Sequence, residues 1–278
     1  MEFLDSILLS VVEGVTEFLP VSSTGHMILA QHFLGIEDSE AVKAFLVIVQ
    51  AGAILAVLTV FWPTFFRWAR AWYAFLMPGQ REGSHASLIA DRSQSLFFAF
   101  SVVPFALVGY FNREFIKSLF NVRVVAYALL VGGLLILVDE WFLSRRRAGK
   151  ERSLESFGFV DAVVVGLGQC CALWPGFSRS AATIIFGRWR GFSRTAAAEV
   201  SFLVGLPTLC GTALYETKQS WELIDAQLRN QLAVGIVVSW FTAYICVKSF
   251  LIFLRRFPLT VFAYYRIIVA ALLLYFVN

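Results

Sequence analysis

Glu13-Gly14-Val15-Thr16-Glu17-Phe18-Leu19-Pro20-Val21-Ser22-Ser23-Thr24-Gly25-His26 is the stretch on which the fold turns. The chain runs apolar from Ser6 to Phe18 and then gives way to Pro20–His26, a segment too polar for lipid contact. The same change recurs in the second half, where the apolar run from Phe157 to Trp174 is followed by Pro175-Gly176-Phe177-Ser178-Arg179-Ser180. Irregular backbone at membrane depth survives only inside protein or beside a watery cavity. Each stretch therefore reads as a helix that enters, breaks and returns.

The remainder of the 278-residue chain agrees with a membrane setting: 59% of residues are hydrophobic, mean hydropathy is +0.73 and 15% are charged, against about 25% charged in an ordinary soluble domain. Too few polar residues remain to cover a water-soluble fold of this size, which excludes soluble-enzyme and disordered-scaffold classes. Lysine and arginine number 23 against 19 acidic residues, an excess too small and dispersed for a nucleic-acid surface. Cys170, Cys171, Cys210 and Cys246 lie in apolar stretches without zinc-ligand or disulfide spacing and read as packing residues. Met1-Glu2-Phe3-Leu4-Asp5 lacks the basic region and cleavage site of a signal peptide, so the first helix is expected to remain in the mature protein.

A helix needs about 20 mostly apolar residues to cross the hydrocarbon core. Six segments qualify: Ala44 to Trp62, Ser95 to Phe111, Val122 to Phe142, Ala198 to Tyr215, Gln231 to Leu254 and Leu259 to Val277. Arg145, Arg146, Arg147, Lys150 and Arg152 place the central connection on the cytoplasmic side. Counting outward puts the Pro63–Gln94 loop inside, with Arg67, Arg70, Arg81 and Arg92, together with Arg188, Arg190, Arg194, Arg255 and Arg256. The acidic connections, Glu37 to Glu40 and the stretch holding Glu216, Glu222 and Asp225, fall outside, as do both termini. The outer loop with Arg113, Lys117 and Arg123 runs against the rule.

The expected fold is thus an all-α polytopic membrane protein in one domain, with six full spans and two re-entrant hairpins. Repeat A covers about 1–143, the basic connection about 144–157, and repeat B about 158–278. Pro20 with Ser23 echoes Pro175 with Ser178, and Val125-Ala126-Tyr127 echoes Phe262-Ala263-Tyr264. With the charge pattern, these echoes indicate an inverted-topology repeat, which brings two broken helices face to face near the midplane.

Glu13 and Glu17 are four apart, hence on one helix face, in an apolar run where an unpaired carboxylate is expensive. Their spacing suits shared coordination of Mg²⁺ or Ca²⁺, completed by substrate phosphate and water; the plain alternative is a pair of helix-end acids facing outer water. A helix restarting after Pro20 would put Ser23 and His26 on one face, within reach for a hydroxyl and its base. A histidine merely satisfied in a polar break would look the same. In the second hairpin Ser178, Arg179 and Ser180 open a helix, with Thr183 one turn on. A helix N-terminus and a planar guanidinium together suit an anionic phosphate, unless Arg179 snorkels or pairs with Glu199. Arg266 is intramembrane and is expected to pair or snorkel; Gln50 and Glu199 are candidate supporting polar groups. Phosphoester or phosphoanhydride cleavage on a lipid is the chemistry that uses all these groups.

The run Glu13–His26 resembles the signature of the bacitracin-resistance type of undecaprenyl-pyrophosphate phosphatase, and Leu173-Trp174-Pro175-Gly176-Phe177-Ser178-Arg179-Ser180 resembles its second signature. Val49-Gln50-Ala51-Gly52-Ala53-Ile54-Leu55 and Val131-Gly132-Gly133-Leu134-Leu135 extend the similarity over nearly the whole chain. The resemblance implies an integral enzyme of the bacterial inner membrane. Such an enzyme removes the terminal phosphate of undecaprenyl pyrophosphate on the outer face with a divalent metal, recycling the carrier lipid for peptidoglycan. It also implies interlocked inverted repeats and a homodimer. Carried over by position, Glu13 and Glu17 would hold metal and pyrophosphate, Ser23 or His26 would attack or activate, and Ser178, Arg179, Ser180 and Thr183 would grip the phosphates. Serine attack and direct histidine attack both fit and both predict a phospho-enzyme.

Two departures bear on the packing of the second hairpin. Ala181 stands where the family pattern has glycine, and Phe186-Gly187-Arg188-Trp189-Arg190 stands where it has a glycine-rich apolar stretch. The other lipid-phosphatase superfamily needs a histidine nucleophile after its Ser-Arg; here the histidines are His26, His32 and His85, which excludes it. The serious rival is a polyprenyl-phosphate transporter built on the same inverted repeats. Fold alone does not decide between them; Glu13 and Glu17 beside Ser23 and His26 favour hydrolysis.

Overall fold

The computed structural model describes residues 1–77, 84–145 and 151–276. Arg81, Arg146, Arg147, Lys150 and Val277, used above for topology, lie outside the described residues. The described chain is almost entirely helical, with no strand among the described residues beyond one isolated bridge between Arg152 and Phe192. The first hairpin is α1 (Phe3–Thr16), a break, and α2 (Ser23–Leu34). It is followed by α3 (Glu40–Ile48), α4 (Gln50–Val60), α5 (Trp62–Leu76), α6 (His85–Phe100), α7 (Val103–Phe111), α8 (Arg113–Ser118) and α9 (Val122–Ser144). The second hairpin is α10 (Phe159–Gln169), a single-turn 3₁₀ segment and α11 (Arg179–Trp189), followed by α12 (Arg194–Gln219), α13 (Ala226–Leu254) and α14 (Thr260–Phe276).

Among the described residues, five helical stretches are long and apolar enough to cross a membrane: Glu40–Val60, His85–Phe111, Val122–Ser144, Arg194–Gln219 and Ala226–Leu254. The expected sixth span, α14, has 17 residues; at about 1.5 Å per residue it falls a little short of a ~30 Å core. The region expected to be a loop from Pro63 to Gln94 is instead largely a helical hairpin, with Pro63 in the first turn of α5. Arg67, Arg70 and Arg92 lower the hydropathy there without stopping an amphipathic helix. Trp68 Nε1 donates to Gln94 Oε1 (3.2 Å), Trp72 Nε1 donates to Ser95 Oγ (3.0 Å), and the Arg92 guanidinium lies 4.2 Å from the Phe75 ring centre. The span expected from Ser95 therefore begins earlier, at His85, and is interrupted at Ser101-Val102 before Pro104. The span expected from Ala44 begins at Glu40 and breaks at Val49, so Gln50 opens a new helix.

Without a hydrophobic effect between helices in lipid, close packing through small residues holds spans together. α13 packs along both α1 and α4 in this way. A Cβ at Gly14 of α1 would overlap Thr242 Oγ1 and lie 2.6 Å from the Ser239 carbonyl, and a Cβ at Gly52 of α4 would collide with the Ile236 carbonyl. The main apolar core gathers Phe18, Ile136, Ile184, Phe202, Val204 and Phe250, with Phe18 edge-on to Phe202 at 5.1 Å.

At one end of the bundle, charged groups form a paired network. Arg188, nearly buried, donates to Asp139 and Glu140, and Arg194 Nη2 donates to Glu140 Oε2 (3.0 Å). Glu140 Oε1 also accepts the Leu259 backbone N–H (2.8 Å) at the entry to α14. Arg152 and Arg190 share Asp161 at 2.6 and 2.7 Å, and the bond to Asp161 raises the Arg152 guanidinium above its ordinary pKa. Arg188 and Arg190 thus staple the end of α11 to α9 and α10. Ala181 is buried in the main core beside Ile184 and Ile185.

Gly14→Ala should destabilise the protein by about 1–3 kcal/mol through overpacking, lowering its melting temperature in detergent. Gly211→Ala in α12, where a Cβ meets nothing within 4 Å, should be neutral or slightly stabilising. Equal melting of the two variants would contradict the α1–α13 contact.

Candidate active site

Both hairpins break in the same way. Ser22 and Ser178 each take a positive φ of 76° and each caps the helix that follows, accepting from the Gly25 N–H (3.3 Å) and the Ala181 N–H (3.2 Å). Such a conformation costs a residue with a side chain on the order of 1–3 kcal/mol and persists only where its surroundings enforce it. The structural match is therefore Ser22 with Ser178, one position away from the Ser23–Ser178 echo read in the sequence. It makes Ser23 and Arg179 the first residues of equivalent helices.

The two breaks meet. Arg179 Nη2 donates to Glu17 Oε1 at 2.7 Å, and Ser23 Oγ donates to Glu17 Oε2 at 2.5 Å, so one carboxylate joins the first hairpin to the second. Glu17 caps the end of α1, and its side chain and that of Arg179 are 6% and 12% exposed. At these exposures the pair is largely desolvated, and loss of one partner would strand a charge. Arg179 Nη1 is buried with no hydrogen-bond partner, as is Glu13 Oε1, one turn before Glu17 on α1. A Cβ at Gly205 would overlap the Arg179 guanidinium, so the missing side chain in α12 makes room for it. Ser178 Oγ lies 3.0 Å from Ser180 Oγ, and Ser180 Oγ donates to the Leu19 carbonyl (2.8 Å), a second tie between the breaks.

Other expected residues lie differently. His26 does not bond Ser23. Its Nδ1–H donates to the Ser22 carbonyl (2.8 Å), and its Nε2 accepts from the Tyr265 hydroxyl (2.6 Å), with the two rings stacked at 5.5 Å. Thr183 is fully buried between the Arg179 carbonyl (2.8 Å) and Ser201 Oγ (2.6 Å), facing α12 and not the break. None of the hydrogen bonds joining the breaks involves Gln50, and Arg179 pairs with Glu17, not Glu199. Arg266 neither snorkels nor finds a carboxylate. Fully buried, it donates to five carbonyls: Pro20 (3.0 Å), Ala128 (3.1 Å), Leu129 (3.2 Å), Gly176 (3.2 Å) and Phe177 (2.7 Å). Tyr265 and Gly205 were missed in the sequence: the Phe262-Ala263-Tyr264 echo stops one residue short of the first, and a glycine in an apolar helix announces no partner.

Where the two breaks face each other, inside a bundle of apolar helices, a buried carboxylate thus holds a hydroxyl on one oxygen and a guanidinium on the other. Residues 6–272 match the family described as bacitracin resistance protein BacA. With nearly the whole chain matched, the protein belongs to that family, the undecaprenyl pyrophosphate phosphatases.

If Glu17 and Arg179 act as one buried pair, Glu17→Gln or Arg179→Gln alone should cost about 3–5 kcal/mol of stability. The double variant should cost clearly less than the sum, measured by unfolding in detergent. Additive costs would contradict the pairing.

Proposed function

We propose that this chain hydrolyses undecaprenyl pyrophosphate to undecaprenyl phosphate and inorganic phosphate in the bacterial inner membrane. Its site faces the outer side, within an inverted repeat of six spans and two re-entrant hairpins. The repeat is supported by the shared geometry of Ser22 and Ser178; the hydrolytic reading rests above all on Glu17, whose carboxylate holds Ser23 and Arg179 together. A lipid carrier would have no use for a hydroxyl held on a buried carboxylate.

In this reading Ser23 Oγ attacks the terminal phosphorus and its proton passes to Glu17. The bond from that phosphorus to the bridging oxygen breaks, and the electron pair leaves with undecaprenyl phosphate. Arg179, through its unpartnered Nη1, and the free N–H groups at the α11 N-terminus stabilise the charge that develops on the phosphoryl oxygens. Water then attacks the phosphoserine, the bond from phosphorus to Ser23 Oγ breaks with its electron pair on Oγ, Glu17 returns its proton there, and phosphate leaves. Both ring nitrogens of His26 are engaged, by Ser22 and Tyr265, which favours Ser23 over His26 as nucleophile.

The resemblance implies a divalent cation, and the feature that supports one here is the free carboxylate oxygen of Glu13. Glu13 Oε1 is a buried carboxylate oxygen without a partner, and the described residues gather no cluster of three or more His, Cys, Asp or Glu side chains. One or two carboxylates completed by phosphate oxygens and water is the manner in which Mg²⁺ is ordinarily held. Glu13, with Glu17 beside it, would hold the ion, which when bound would neutralise pyrophosphate charge.

Purified protein in detergent with Mg²⁺ or Ca²⁺ should release phosphate from a polyprenyl pyrophosphate, and a chelator should abolish it. Ser23→Ala and Glu17→Gln should each lower the rate by on the order of 10² or more. Release indifferent to chelator would remove the metal from the account, and near-normal rates in either variant would remove the site.

A further inference from the structure

Arg266 sits in α14, outside both signature stretches, and its surroundings are unusual for a cation in an apolar bundle. Its guanidinium has no carboxylate partner; all its bonds run to main-chain carbonyls of three separate segments. Nη1 takes Pro20 of the first break, Nη2 is shared between Gly176 and Phe177 of the second and Ala128 of α9, and Nε is anchored on Leu129 of α9. Pro20 lies three residues before Ser23, and Gly176 three residues before Arg179. The same side chain thus holds equivalent points of the two breaks, each just upstream of a residue that bonds Glu17.

The space for it is built in. A Cβ at Gly132 of α9 would overlap Arg266 Nη2, and Gly176 takes a φ of 94° with its backbone pressed against Val125. Only a planar fork with five donors can serve carbonyls diverging in this way; an ammonium has three donors at one point.

We infer that Arg266 is a positioning residue for the phosphatase reaction: by clamping the Pro20 and Gly176–Phe177 carbonyls to α9, it sets the register in which Ser23 and Arg179 meet on Glu17. This inference rests on the hydrolytic reading above. Arg266 itself touches none of the reacting groups, and it acts by fixing where the two helix starts point. A misplacement of about 1 Å between such groups can cost on the order of 10² in rate.

The test compares wild type, Arg266→Lys and Gly132→Ala, the last retaining the arginine but displacing its fork. Phosphate release from a polyprenyl pyrophosphate is measured with substrate titration, alongside monodispersity and melting in detergent. The expected result is that both variants stay monodisperse, lose on the order of 10²-fold in kcat and keep KM within about twofold. Wild-type kcat in Arg266→Lys would overturn the inference. So would losses confined to KM, or failure of both variants to fold, which would make Arg266 a residue of the fold alone. A wild-type protein that releases no phosphate would instead overturn the hydrolytic reading on which the inference rests.

Discussion

A carboxylate inside an apolar bundle must find a cation or a proton, and in this protein the need is met by bringing together two segments 162 positions apart. Glu17 accepts from Arg179 and from Ser23 at once. That one group fixes how close the hairpins come, which faces of α2 and α11 turn inward, and where a hydroxyl and a guanidinium stand relative to each other. Much else follows as accommodation: Gly205 clears room for the guanidinium, Ser180 reaches across to Leu19, and the strained turns at Ser22 and Ser178 aim the two helix starts.

The breaks themselves create a second constraint. Carbonyls freed by an interrupted helix cannot be left bare at membrane depth. Leu19 and Pro20 are satisfied by Ser180 and Arg266, and Gly176 and Phe177 by Arg266. Each break is thus completed by donors from elsewhere in the chain, so neither hairpin is a self-sufficient unit. The charged staple of Arg188, Arg194, Asp139 and Glu140 holds the far end of α11 in the same spirit, by pairing buried charges with each other.

Much of the candidate site was legible in the sequence because its residues are out of place. Proline, glycine and serine clusters inside apolar runs mark the breaks, and acids or an arginine at membrane depth mark chemistry. Partnership was less legible. His26 stands three residues from Ser23, but the break turns its imidazole toward Tyr265 on α14, a contact that no local spacing announces. Arg266 could be read only as a charge in need of a partner, because carbonyl ligands leave no trace in side-chain identity. Hydropathy hid α5, whose arginines interrupt the apolar signal without interrupting the helix. The one-residue shift between the two breaks arose because the residues between proline and cap differ in number, Val21 in the first and Gly176-Phe177 in the second.

In the proposed reaction the Glu17 carboxylate prepares the Ser23 hydroxyl for attack on a phosphorus held by Arg179. Rapid quenching of the enzyme with polyprenyl pyrophosphate carrying ³²P in its terminal phosphate, followed by peptide mapping, tests it most directly. Transient label is expected on the peptide at Ser23, lost on further incubation. Label on His26, or full turnover with no covalent label at the earliest quench, would contradict it.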